Sequence, residues 1–205
     1  MEKLFIRSEQ KVNKAKWLVG KTSDQWLNQA IENPIEILID HAHCERKAAG
    51  SAVQLMFRYL AEPGLAETLS PLAREELEHF EMVLALLHSR GKVLLPLPAP
   101  PYGSLLAKEV RGGEPERMLD TFLISALIEA RSHERMSLLA AYSPDRELRT
   151  LYGKLLQSEA RHFSIFLKLA EGRFQRDMIW PRLKELAQLE TKILSELHPE
   201  PRMHS

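Results

Sequence analysis

The chain has 205 residues, 44% of them hydrophobic and 27% charged, a composition that suits one folded domain over residues 1–205 and excludes disorder and collagen. Lys plus Arg and Asp plus Glu both total 28, so no overall field draws the chain onto a polyanion; any nucleic-acid affinity must come from a local patch. Cys44 is the one cysteine, which excludes an intrachain disulfide, and neither a membrane span of ~18 apolar residues nor a secretory signal is visible, so a soluble, cytoplasmic protein is expected.

Residues 1–21 hold Lys3, Arg7, Lys11, Lys14, Lys16 and Lys21 against Glu2 and Glu9, a local net charge of +4, with Trp17 and Trp26 nearby. A short helix is expected over 24–32. Asn33-Pro34 supplies a cap and a preset first turn, and apolar residues then recur every three or four positions, predicting a helix over about 33–61. Pro63-Gly64 breaks the pattern, and a second helix over about 65–90 stops at Gly91. The segment VLLPLPAPPYG opposes helix and should run extended, with a short piece following near Leu105. After Gly112-Gly113, helical periodicity returns over about 114–142 and, past Ser143-Pro144-Asp145, over about 144–172; a further helix is expected over about 178–197.

No stretch alternates as a half-buried strand would, so the fold class is all-α. Two tightly connected helix pairs are joined by a connection of more than twenty residues. That pattern predicts a ferritin-like four-helix bundle with one long crossover and accessory helices.

The second bundle helix carries Glu76-Leu77-Glu78-His79 and the fourth carries Glu159-Ala160-Arg161-His162, each placing a Glu and a His on one face. Alone this means little, because 23 Glu and 8 His produce roughly one Glu-x-x-His by chance. The placement carries the weight: Glu45 precedes Glu76 by 31 residues and Glu129 precedes Glu159 by 30, so both hairpins repeat one order. One Glu from each of two helices and Glu-x-x-His from each of the others is the ligand set of di-iron and di-manganese carboxylate proteins. Four carboxylates and two neutral imidazoles neutralise two divalent cations, and the oxygen-rich set suits iron or manganese. The expected grouping is Glu45, Glu76 and His79 on one metal and Glu129, Glu159 and His162 on the other, with Glu76 and Glu159 bridging.

Other residues compete less well. Glu134 rivals Glu129 but lies about 140° around the helix, so both should not face the core. His41, one turn before Glu45, is placed to hold that ligand, although a plain surface or core histidine is the commoner role, as for His43 and His133. Cys44 points about 100° from Glu45, and Tyr152 reads as a core tyrosine.

HAHCERKAAGSA, REELEHFEMV, LIEARSHERM and SEARHFSIF resemble stretches of bacterial tRNA 2-methylthio-N6-isopentenyladenosine hydroxylases, the MiaE family, over about residues 4–197. The resemblance implies a non-haem centre of two iron ions that uses O2 and two electrons to hydroxylate the isopentenyl group of adenosine 37 in tRNA. By position it carries the metal-ligand role to Glu45, Glu76, His79, Glu129, Glu159 and His162. No redox-cofactor motif is present, so electrons are expected from a separate reductase.

Phosphate contact and base stacking would suit the anticodon loop, making Lys11, Lys14 and Lys16 candidate tRNA contacts, with the arginines of EGRFQR and WPRLK as a second patch. A solvated basic face explains the same charges. A ferritin-like iron store or a manganese catalase that removes peroxide could use the same six ligands, and a metal-free helical binding protein is a third class.

Overall fold

The computed structural model describes residues 15–204, and among them every regular element is a helix. They run α1 (Asp24–Glu32), α2 (Pro34–Arg58), α3 (Leu65–Ser89), α4 (Pro101–Ala107), α5 (Glu116–Tyr142), α6 (Arg146–Glu171) and α7 (Arg176–Ile193). Ser23 starts α1 by accepting a hydrogen bond from the Trp26 amide at 3.1 Å, and Asp145 starts α6 by accepting from the amides of Glu147 and Leu148. Gly64 turns the chain into α3 at a φ of 73°, a left-handed conformation that glycine adopts without strain.

Several boundaries differ from the sequence-based ones. α2 ends at Arg58 rather than 61, since Tyr59 closes it and a turn follows. α5 begins at Glu116, not 114, because Glu114 stands outside and caps it, its carboxylate accepting from the Met118 amide at 3.1 Å. α6 begins after the Asp145 cap, and α7 spans 176–193 rather than 178–197, leaving an irregular segment behind it. The proline-rich stretch is extended only to Pro100. Pro101 then starts α4, where its missing N–H costs nothing.

α2 pairs along α3 and α5 along α6, giving two antiparallel hairpins joined by the long α3–α5 crossover that contains α4. Across the bundle the packing is uneven. α3 meets α6, whereas α2 and α5 stay apart, and α7 and α1 lie against α5 from outside. One apolar cluster gathers Ala52, Leu55, Leu69, Leu72, Phe122, Leu123, Phe166 and Leu183; the other gathers Trp26, Leu38, Val83, Leu87, Met136, Leu139, Tyr152 and Leu155. Between these clusters the bundle helices carry polar and charged residues, among them Glu45 of α2, Glu76 and His79 of α3, Glu129 of α5, and Glu159 and His162 of α6, so a polar layer lies between two bodies of close-packed hydrocarbon.

Candidate metal centre

Glu45, Glu76, His79, Glu129, Glu159 and His162 all occupy that layer and are at most 6% exposed. One donor atom from each of Glu76, His79, Glu159 and His162 lies within 4.8 Å of the others. Nδ1 of His79 is 3.3 Å from Oε1 of Glu159, 3.6 Å from Oε2 of Glu76 and 3.7 Å from Oε2 of Glu45. Nδ1 of His162 is 2.7 Å from Oε1 of Glu76, 3.8 Å from Oε1 of Glu159 and 4.0 Å from Oε2 of Glu129. Glu76 and Glu159 therefore stand near both imidazoles, Glu45 near His79 alone and Glu129 near His162 alone.

The outer face of each ring decides what its inner nitrogen can do. Nε2–H of His162 donates to Glu75 at 2.9 Å, and a carboxylate can only accept. Nε2 of His79 lies 2.9 Å from the Ser158 hydroxyl, whose own proton goes to the Leu155 carbonyl at 2.8 Å, so the ring is again the donor. Both rings thus turn Nδ1 inward, and loss of the Nδ1 proton gives each the lone pair that a metal ligand needs. Sequence reasoning missed Glu75 and Ser158, although each adjoins a ligand. His41 does hold Glu45, its Nε2–H donating to Oε1, and its ring stacks on Tyr152 with centroids 5.5 Å apart.

Burial and the charges of Glu76, Glu159 and Glu45 push the Glu129 carboxyl well above the usual range. Burial would raise Glu45 too, but the His41 and His79 rings outweigh it and pull it down to about 2. For His79 burial opposes protonation, yet Glu159, Glu45 and Glu76 raise it to about 12; His162 rises to about 9 through Glu76 and Glu159. The cluster thus gathers more negative charge than its own cations balance. Both oxygens of Glu76, Oε1 of Glu159 and both histidine Nδ1 atoms are buried with no hydrogen-bond partner among the described residues. Such orphaned donor atoms are costly alone and fit divalent cations.

A cavity of about 530 Å³ opens beside the cluster, where α2 and α5 stay apart. Glu45, Glu129 and Glu159 form its inner end, Ile128 and Phe166 line it, and exposed Lys47, Ser51, Gly103 and Ser104 stand at its mouth. Cys44 lies in the same wall as Glu45, so its 100° offset does not remove it from the site.

Other expectations are corrected by packing. Glu134 is buried as well as Glu129, on another face of α5, where it takes hydrogen bonds from Arg131 and from the Thr22 hydroxyl at 2.8 Å. α5 has neighbours on several sides, so both glutamates are enclosed. His43 donates to the Leu95 carbonyl at 2.7 Å, and His133 meets Phe163 edge-on. Lys11 and Lys14 lie outside the described residues; Lys16 is exposed. Trp26 is buried beneath Arg135, which removes it from base stacking, whereas Trp17 is half-buried and packs edge-on against Phe163. In the second patch, Arg173 is tied to Glu62 and Arg182 to Asp120 and Glu185.

Comparison with known proteins follows the same lines. A family model described as tRNA-(MS[2]IO[6]A)-hydroxylase (MiaE) matches residues 10–205. The tRNA 2-(methylsulfanyl)-N(6)-isopentenyladenosine(37) hydroxylase of Pseudomonas putida is 40% identical over 184 residues, covering 90% of this chain and 89% of that protein. The Salmonella typhimurium protein of the same name is 29% identical, with 90% and 86% covered. A solved Synechococcus structure, titled as a protein with aldehyde deformylating oxygenase activity, is 61% identical with a TM-score of 0.91, covering 93% of this chain and 96% of that one. No helix among the described residues is long and apolar enough to cross a membrane. With a buried Glu/His cluster on α3 and α6, Glu45 of α2 and Glu129 of α5 beside it, and a match over nearly its whole length, the chain belongs to the MiaE family of tRNA hydroxylases.

Proposed function

We propose that this protein hydroxylates the isopentenyl group of 2-methylthio-N6-isopentenyladenosine at position 37 of tRNA, consuming O2 and two electrons from a separate reductase. The observation that carries this reading is the junction of a cavity that opens to solvent with a buried cluster of four carboxylates and two imidazoles. Glu45, Glu76, Glu159 and His79 would hold one iron, and Glu76, Glu159, Glu129 and His162 the other. Iron held there would supply reductive activation of dioxygen and oxidation of an allylic C–H bond of the prenyl group.

The protein's own residues prepare that chemistry. Glu75 and Ser158 fix the tautomers of His162 and His79. His41 holds Glu45 through its outer oxygen, leaving Oε2 turned to His79. Ile128 and Phe166 exclude water from the reacting end and give a prenyl tail an apolar wall. A prenyl group protrudes from its base, so it can enter the cavity while the tRNA stays outside, near Lys47.

The 61% identity to the Synechococcus protein favours a second reading, oxidation of an aliphatic aldehyde in the same cavity. One experiment separates the two: iron-loaded, reduced protein is given ¹⁸O₂ with either prenylated tRNA or a long-chain aldehyde. One ¹⁸O atom gained by the prenylated nucleoside, with unprenylated tRNA unchanged, supports the hydroxylase. Oxygen from water would exclude direct oxygen transfer, and a hydrocarbon one carbon shorter than the aldehyde, with unchanged tRNA, would favour the second reading.

A further inference from the structure

After α7 the chain runs back over the bundle through His198-Pro199-Glu200-Pro201, and its next three residues, Arg202, Met203 and His204, are 4%, 1% and 5% exposed. Irregular backbone is seldom buried, because it brings polar groups that no helix satisfies. Here side chains from three helices satisfy them. The Met203 amide donates to Oδ2 of Asp40 at 2.7 Å, Arg135 donates to the Met203 carbonyl, and the Trp26 indole N–H donates to the Arg202 carbonyl at 2.9 Å. The His204 ring stacks on Tyr102 of α4, with centroids 5.1 Å apart and planes within 13°, and its Nε2 lies 3.0 Å from the Ser132 hydroxyl. Burying Asp40 and Arg135 is expensive unless each gains partners; Asp40 accepts from the Met203 amide, and the Arg135 guanidinium donates to the Met203 carbonyl and lies over the Trp26 ring at 4.4 Å.

Met203 joins the apolar cluster of Trp26, Leu38 and Leu139, and the same stretch also borders open space. Met203 and His204 line the same cavity as Glu45, Glu129 and Glu159, and Ser132 stands one helical turn beyond Glu129. Burial together with the nearby Arg135 and Arg131 holds the His204 ring well below its ordinary pKa, so it is a neutral wall. Met203 adds an unbranched, apolar side chain that fills irregular space.

We propose that the segment after α7 is one wall of the substrate pocket, and that Met203 and His204 determine how long an apolar tail the pocket admits. This rests on the hydroxylase reading for the pocket's purpose, but on the placement of the two residues for the assignment. A bulkier side chain at 203 takes space from the substrate, and a smaller one returns it; each methylene gained or lost in an apolar pocket is worth roughly tenfold or more in discrimination.

The test uses the full-length, iron-loaded protein kept free of oxygen, so that binding is read without turnover. Dissociation constants are measured for N6-alkyladenosines from propyl to octyl and, separately, for aliphatic aldehydes of increasing length. Wild-type protein should bind one series with a sharp length limit. Met203→Trp should move that limit to shorter tails, with roughly tenfold weaker binding of the longest tail accepted before; Met203→Ala should move it to longer tails. Met203→Leu, which keeps the volume, should leave it in place and shows that the site tolerates substitution. An unmoved limit in both Met203→Trp and Met203→Ala, with melting temperature and iron content normal, overturns the wall. Failure of wild-type protein to bind either series sinks the substrate reading and the pocket wall together, and binding of only the aldehydes keeps the wall while replacing the hydroxylase reading.

Discussion

Glu76 and Glu159 matter more than their four neighbours because each lies close to both imidazoles. Replacing either with Ala should remove most of the bound iron, and full occupancy in both variants, read by metal analysis, would refute the bridging role. Ser158→Ala and Glu75→Gln touch no metal directly; each should weaken metal affinity by about 10–100-fold by freeing a ring to turn or change tautomer. Protons give a further check at this scale. His79 and His162 have raised pKa values, about 12 and 9, so at pH 7 the metal-free cluster carries them protonated, whereas a ligand needs the bare lone pair. Metal loading at pH 7 should therefore release protons, and affinity should fall as pH falls. Calorimetric titration in buffers of different ionisation enthalpy measures that release, and a buffer-independent heat would contradict it. The six candidate ligands were legible in the sequence because helical spacing and hairpin length are local properties. Ser158 and Glu75 were not, since neither neighbour of a ligand carries a sign of the tautomer it will impose.

At the scale of elements, ion pairs fasten the accessory helices to the bundle. Asp120 of α5, fully buried, takes hydrogen bonds from Arg111 at 2.8 Å and from Arg182 of α7 at 3.0 Å, and Arg182 also reaches the Glu109 carbonyl. Burial alone would raise the Asp120 carboxyl, but the two guanidinium groups hold it below its ordinary range. A folded-state pKa below the unfolded one, near 3.9, contributes stability that is complete above that value and is lost as pH falls through the folded pKa. Asp120→Asn should therefore cost about 2–4 kcal/mol at pH 7, read by denaturant unfolding, and the difference from wild type should shrink in acid. Arg131 plays a similar part deeper in, donating to both oxygens of Glu190 at 2.7 Å and so pinning α7 to α5. Helix positions followed from periodicity. These clasps did not, because a charged residue on an amphipathic helix reads as solvated until the helix that covers it is known.

For the whole molecule, balanced charge leaves tRNA binding to local features, and the cavity mouth and the basic first 21 residues are separate candidates. Replacing Lys11, Lys14 and Lys16 with Gln should weaken tRNA binding and flatten its salt dependence while iron content stays normal. An unchanged affinity and salt slope would move the contact to the cavity mouth, where Lys47→Gln should then carry the loss. What the sequence determined by itself was the part written at short range: turns at prolines and glycines, the 3.6-residue period, and a Glu then Glu-x-x-His order repeated across two equal hairpins. Only the tertiary structure decided the rest. The gap between α2 and α5, the tautomers of two histidines, the enclosure of Glu134 and the return of Met203 and His204 to the pocket all join groups far apart in the chain or on separate helices. Their relative placement is settled when apolar faces pack and each buried polar group finds a partner, and no local spacing records that outcome.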